Sequence, residues 1–207
     1  MKKPRTVAAL EDLGRVRLSR TFFFRNFLYS EVGNLYGVPN LPDDPELAIA
    51  VGRRLCTELL QPLFDSFGAL EIRSGYRSRR VNALCHRRKH NCASNERNYA
   101  RHIWDAHDQD GCAGALACVV LPWFADRYAK TRDVTPLAWW IHDHLPYSEV
   151  KFFPRLAAFN IGWRDIPKRR IETFIGKHRV LTRPGLANHE GRHGAYYRGL
   201  PRLERYG

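Results

Sequence analysis

The chain has 207 residues, 44% of them apolar and 12% aromatic, which excludes a disordered polymer and is enough to bury a core. Its formal net charge of +13 suits polyanionic partners: nucleic acid, anionic lipid or an acidic cell-wall polymer. No apolar run approaches the roughly 18 residues of a transmembrane span, and five cysteines are an odd number that excludes a fully paired disulfide scaffold.

Residues 1–17 read as a basic lead-in. They begin like a signal peptide, but Glu11 and Asp12 stand where an apolar segment belongs, so no signal is expected. That reading places the protein in the cytoplasm with Cys56, Cys85, Cys92, Cys112 and Cys118 reduced. Action at a cell wall would then need separate release.

The stretch SRTFFFRNFLYSEVGNLYG, from Ser19, predicts a short amphipathic helix that Gly37 ends. A second helix is expected from Pro45 to Phe67, because Leu47, Val51, Leu55, Leu59 and Leu63 recur at helical spacing. Pro62 implies a kink or break near its end. ALEIRSGYRS predicts a short strand running into a glycine turn. Residues 85–113 are polar, basic and poor in large aliphatics, and read as a long inserted loop. GALACVVLP predicts a buried strand. Helical material follows from Trp123, its second part starting near Thr135 with Pro136 in the first turn. EVKFF and LAAFNIGW predict two more strands. Residues 166–207 are rich in Arg, Gly and His and read as a basic, mostly irregular tail. Helices first, then strands with inserted helix, make an α+β domain with N-terminal helices on a small, mainly antiparallel sheet.

Several clusters raise the question of a metal. Cys85, Cys92 and Cys112 crowd with His86 and His90, but their spacing fits no zinc pattern closely. Asp108-Gln-Asp110-Gly, with Asp105 and His107 nearby, offers oxygens to a hard cation, without the closing Glu of a calcium loop. His142 and His144 are two apart, on different faces of a helix; capping of the helix end together with Asp143 is the expected role.

The elements in this order, with LLQPLFDSFG before the strand, SGYRSRRVN after it and LPYSEVKFF and AAFNIGW later, resemble the D-Ala-D-Ala carboxypeptidase family of zinc peptidases, within the Hedgehog/DD-peptidase superfamily. The resemblance covers roughly residues 18–165. It implies a protein that cuts peptide bonds beside D-amino acids in peptidoglycan stem peptides. In such a site three side chains hold zinc, a carboxylate takes a proton from the bound water, and an Arg grips the substrate's terminal carboxylate.

By that resemblance Arg77 is the carboxylate-binding Arg, with Ser74, Tyr76 and Asn82 in the substrate shell. His102 matches the first metal ligand and Glu149 the base. The family's motif, S-x-H-x-x-G-x-A-x-D, is then departed from. Its Asp falls on Cys118 of GALAC, or shifts into the cluster that holds Asp110, and its last-strand His falls on Asn160. Neutral Asn is a poor zinc donor. Three functions stay open: a peptidoglycan metallopeptidase with a rearranged zinc site; a peptidase fold that lost its metal and kept its groove for binding or a structural role; and a nucleic-acid-associated basic protein.

Overall fold

The computed structural model describes residues 3–204. The first two residues of the lead-in and the last three of the tail lie outside the described residues. A six-stranded sheet runs in the order β1-β2-β4-β3-β5-β6. Its strands are β1 Glu71–Ser74, β2 Gly114–Val120, β3 Glu149–Phe152, β4 Phe159–Arg164, β5 Arg170–Thr173 and β6 Arg179–Thr182. Every pairing is antiparallel except β3 with β5. The chain is thus a mixed α and β protein with a mainly antiparallel sheet, as the order of elements led one to expect.

The lead-in is not featureless. Thr6 accepts a hydrogen bond from the Ala9 amide at 3.1 Å and starts helix α1, Val7–Arg15, whose Leu13 is fully buried. The single helix expected after Ser19 is two pieces, a 3-10 turn at Phe24–Phe27 and helix α2 at Glu31–Leu35. Polar side chains divide it. Asn26 Oδ1 takes the Phe23 amide at 2.7 Å, and Ser30 Oγ takes the Gly33 amide at 3.1 Å, so each caps a new start. Gly37, at φ 63, terminates the second piece.

Helix α3, Pro45–Leu55, passes through a wide π-turn, Cys56–Leu60, into α4, Gln61–Phe67. Pro62 is the cause the sequence offers: it has no amide to donate and its ring crowds the carbonyl four residues back. Val51, Leu55, Leu59 and Leu63 pack from this rod against the inner face of the sheet, where Ala115, Ala117, Val119, Phe159, Ile161 and Val150 are buried.

Residues 85–113 are more ordered than a loop reading implies. Helix α5, Arg79–Arg87, extends into them. Beyond it the backbone is held by amide side chains. Buried Asn82 accepts from Arg77 and Asn98 and donates to Ala93 O and Asn95, which uses its full hydrogen-bonding capacity. Cys85 and Cys92 form a disulfide, so the expectation that these two thiols are reduced does not hold in this structure. Cys56, Cys112 and Cys118 are free. The bridge closes a short loop, for which chain-entropy arguments give about 2–3 kcal/mol. Reduction, or Cys92→Ser, is expected to lower the unfolding free energy by that amount, read as a lower denaturant midpoint. Equal midpoints for oxidised and reduced protein would contradict it.

Helices α6, Pro122–Thr131, and α7, Thr135–His144, follow β2. The tail then departs from the irregular reading: β5 and β6 complete the sheet, and the turns after Thr182 are tied to α7. Trp140 Nε1 donates to Pro201 O at 2.8 Å, and Trp139 stacks on His193 with centroids 3.9 Å apart. No helix among the described residues is long and apolar enough to cross a membrane.

Candidate functional site

Because side chains alternate along a strand, the register divides the sheet into a buried face and a polar one. Cys118 stands opposite Asn160, Asn160 opposite Lys151, and Lys151 opposite Glu172, with Ser74 beside Cys118 on the edge strand. One step along, Leu116, Gly162, Glu149 and Arg170 form the next row. The polar face therefore brings together Ser74, Cys118, Asn160 and Glu149, four of the residues that the sequence singled out. It adds Lys151 and Glu172, which pair at 2.9 Å and were not expected. The alternation of EVKFF could have found Lys151, since it lies two residues from Glu149.

Arg77 leaves the turn after β1 and lies beside this row. Its guanidinium donates to Ser74 Oγ at 3.2 Å and Asn82 Oδ1 at 3.2 Å, and contacts Cys92 Sγ at 3.1 Å. All three partners are neutral, and no carboxylate of the described residues comes within ion-pairing distance of it. Burial lowers its pKa, offset in part by Glu31 and Cys118 further off.

His102 is buried, and its Nδ1 meets Gly75 O at 2.9 Å. A carbonyl only accepts, so Nδ1 carries the proton and Nε2 the lone pair. Burial, with the charges of Arg77 and Arg101, holds the pKa of the ring well below the usual histidine value, so it is neutral. The backbone is locked to the same turn, since the Arg77 amide donates to His102 O at 2.7 Å. Gly75 has to be glycine here: a Cβ would stand 2.7 Å from the Phe27 side chain. Burial pushes the Cys118 thiol up to about 11, against the pull of Arg73 and Arg77. It is therefore a neutral thiol rather than a thiolate.

Glu149 forms an ion pair with Arg101 at 2.7 Å. Both line a polar cavity of about 270 Å³ with Ser148, Tyr99, Lys168 and Trp163.

The remaining candidates serve the fold. Tyr76 does not reach the substrate shell expected of it. Its ring is buried against Phe24 and Trp104, and its hydroxyl donates to Asp105 Oδ1 at 3.2 Å. Asp105 also accepts the Asp43 amide at 2.7 Å. Asp108 and Asp110 both bind Arg164, at 2.8 and 2.6 Å, and Asp108 takes the amides of Asp110 and Cys112 as well. These acids fasten the loop to β4. Asp110 is thus engaged away from His102 and Cys118.

Among the described residues, only His142, Asp143 and His193 bring three ligand atoms of His, Cys, Asp or Glu within 4.8 Å of one another. Their atoms are already used. His142 contacts Tyr147 Oη at 2.6 Å and His189 O at 2.8 Å; His193 contacts Asp143 at 2.7 Å and Asn188 O at 3.1 Å. Burial raises the Asp143 carboxyl, but hydrogen bonds from His193 and Tyr197 outweigh it and hold the pKa below the usual value. Asp143 and His142 therefore pin the tail to α7, where sequence reasoning expected a helix-end cap.

The set His102, Asp110 and Cys118, with Asn160 where the resemblance expects the last-strand His, does not fit a catalytic zinc. Its three ionisable donors do not converge, its sulfur is a protonated thiol and its amide is a poor donor. Comparison with protein-family models, with curated proteins and with solved structures found no match to this chain.

Proposed function

We propose that this protein binds the free carboxylate end of a peptide on the polar face of its sheet, with Arg77 as the anchor. The observation that carries this reading is the state of Arg77: a guanidinium drawn in from solvent, fixed by three neutral partners, with no acid paired to it. A planar guanidinium so placed has free donors for a carboxylate. Asn160 and Cys118, next in the row, offer an amide that both donates and accepts and a neutral thiol, which suits a peptide backbone better than a second charge. The resemblance to peptidoglycan peptidases names the ligand class, a stem peptide ending in D-alanine. Binding without hydrolysis is the reading, because the donor set does not suit the metal that a hydrolytic step of this family needs.

One observation favours the alternative of a working peptidase. The Nδ1 contact of His102 with Gly75 O is the kind of outer hydrogen bond that presents Nε2 to a metal. Calorimetric titration with a peptide ending in D-Ala-D-Ala, against the same peptide as its C-terminal amide, tests the binding reading. Binding of the acid and not the amide is expected. Equal binding of the two, or of neither, would overturn it.

A further inference from the structure

Basic charge is concentrated on the exposed side of α5, away from the buried Asn82 that holds Arg77. Arg79 and Arg80 open α5, and Arg87, Arg88 and Lys89 close it and begin the next turn; all five are exposed. Among the described residues none of the five forms an ion pair, whereas Arg54, Arg101 and Arg164 each hold a carboxylate. Glu96 lies near His86 at the edge of the patch and offsets part of the charge. Like charges this close repel one another, and a polyanion relieves that repulsion.

The patch is held in shape. The Cys85–Cys92 disulfide spans the basic turn, which bends through Lys89 and Asn91 at φ 57 and 60. Two of the arginines lie over tyrosine rings, Arg79 over Tyr99 and Arg88 over Tyr36, each 5.5 Å from the centroid. Arg80 and Arg87 are two helical turns apart on one face, about 10 Å along the axis, which matches about three phosphates of one strand at their rise of about 3.4 Å. No large apolar side chain is exposed between Arg79 and Cys92, so the element has nothing to insert into a lipid surface. Basic side chains beside aromatic rings are instead what a nucleic-acid strand requires.

We propose that α5 and its disulfide-held turn form a nucleic-acid-binding surface that grips the phosphate backbone of a single strand without reading sequence. The test is fluorescence anisotropy of a labelled oligonucleotide of about 20 nucleotides, between about 50 and 200 mM salt. The oxidised protein is compared with the triple variant R80E/R87E/R88E and with the milder R87Q/R88Q, both checked by circular dichroism. The parent is expected to bind, with log K falling against log salt at a slope of about −3.5 for five contacts at about −0.7 each. The triple variant is expected to lose at least about tenfold at low salt and about 2 units of slope, and the milder variant correspondingly less. The variants' titration with the D-Ala-D-Ala peptide acid should match the parent's, which separates this surface from Arg77. Absence of binding at low salt, an unchanged slope in both variants, or equal binding to phosphatidylglycerol vesicles through the same residues would overturn the proposal.

Discussion

Arg77→Ala is expected to weaken binding of a carboxylate-ended peptide by roughly 30-fold to 4000-fold. That range corresponds to the 2–5 kcal/mol, about, that is lost when one partner of a desolvated, hydrogen-bonded charge pair is truncated. The effect is large because the guanidinium faces no competing acid: Ser74, Asn82 and Cys92 hold it without neutralising it. Arg77→Lys keeps the charge but not the planar fork, so it should still lose about tenfold or more. Stability should change little, since Asn82 keeps its bonds to Asn98, Ala93 and Asn95. Calorimetric titration of the three proteins decides the matter. An unchanged affinity in Arg77→Ala would place the ligand elsewhere.

The second large effect is on folding. Trp104 is fully buried among Phe24, Phe27 and Tyr76, with ring centroids 6.1, 5.1 and 6.1 Å away, and its Nε1 donates to Leu116 O at 3.2 Å. It also fills the space above Gly52, where a Cβ would come within 3.0 Å of its ring. Trp104→Ala is expected to cost about 3–5 kcal/mol, a large share of the roughly 5–15 kcal/mol that a domain has. Trp104 lies between His102 and Asp105, so its loss also frees the segment that holds both against the sheet. Trp104→Phe keeps most of the volume and loses the hydrogen bond, for about 1–2 kcal/mol. Urea unfolding measures both. A Trp104→Ala unfolding free energy within about 1 kcal/mol of the parent would contradict the packing described.

Much of the sheet was legible because its strands carry strong local signals. GALACVV is a near-continuous buried run, EVKF alternates, and the rod before β1 repeats its leucines at helical spacing around a proline. β5 and β6 gave no such signal. RIET and RVLT are only four residues long, half of RIET is charged, and Glu172 of β5 is paired with Lys151, His178 and Arg170 around it. Such a strand is recognisable only once its neighbours are in place. The order in residues 85–113 was hidden for the same reason: Asn82, Asn95 and Asn98 act through contacts without period. Likewise, no spacing rule pairs Cys85 with Cys92; that follows from α5 ending at Arg87 and the chain reversing at Lys89.

At the site, SGYRS pointed to Arg77, and the glycine and serine of that turn have the roles a tight, Arg-presenting turn requires. Tyr76 was misplaced because a tyrosine beside a site residue can turn either way, and here Asp105 and the aromatic core draw it inward. The acids of HIWDAHDQDG look like ligands in sequence. In space each is answered by an amide or by Arg164, partners whose proximity the sequence does not display.

The proposed function requires the polar face to hold an anion where a zinc peptidase would hold its metal. Metal analysis of protein purified from zinc-supplemented medium, for the parent and for His102→Ala, tests this most directly. Zinc well below one ion per chain is expected, unaltered by His102→Ala, with the D-Ala-D-Ala peptide acid still bound in the presence of a chelator. One zinc per chain, lost on His102→Ala, would contradict it.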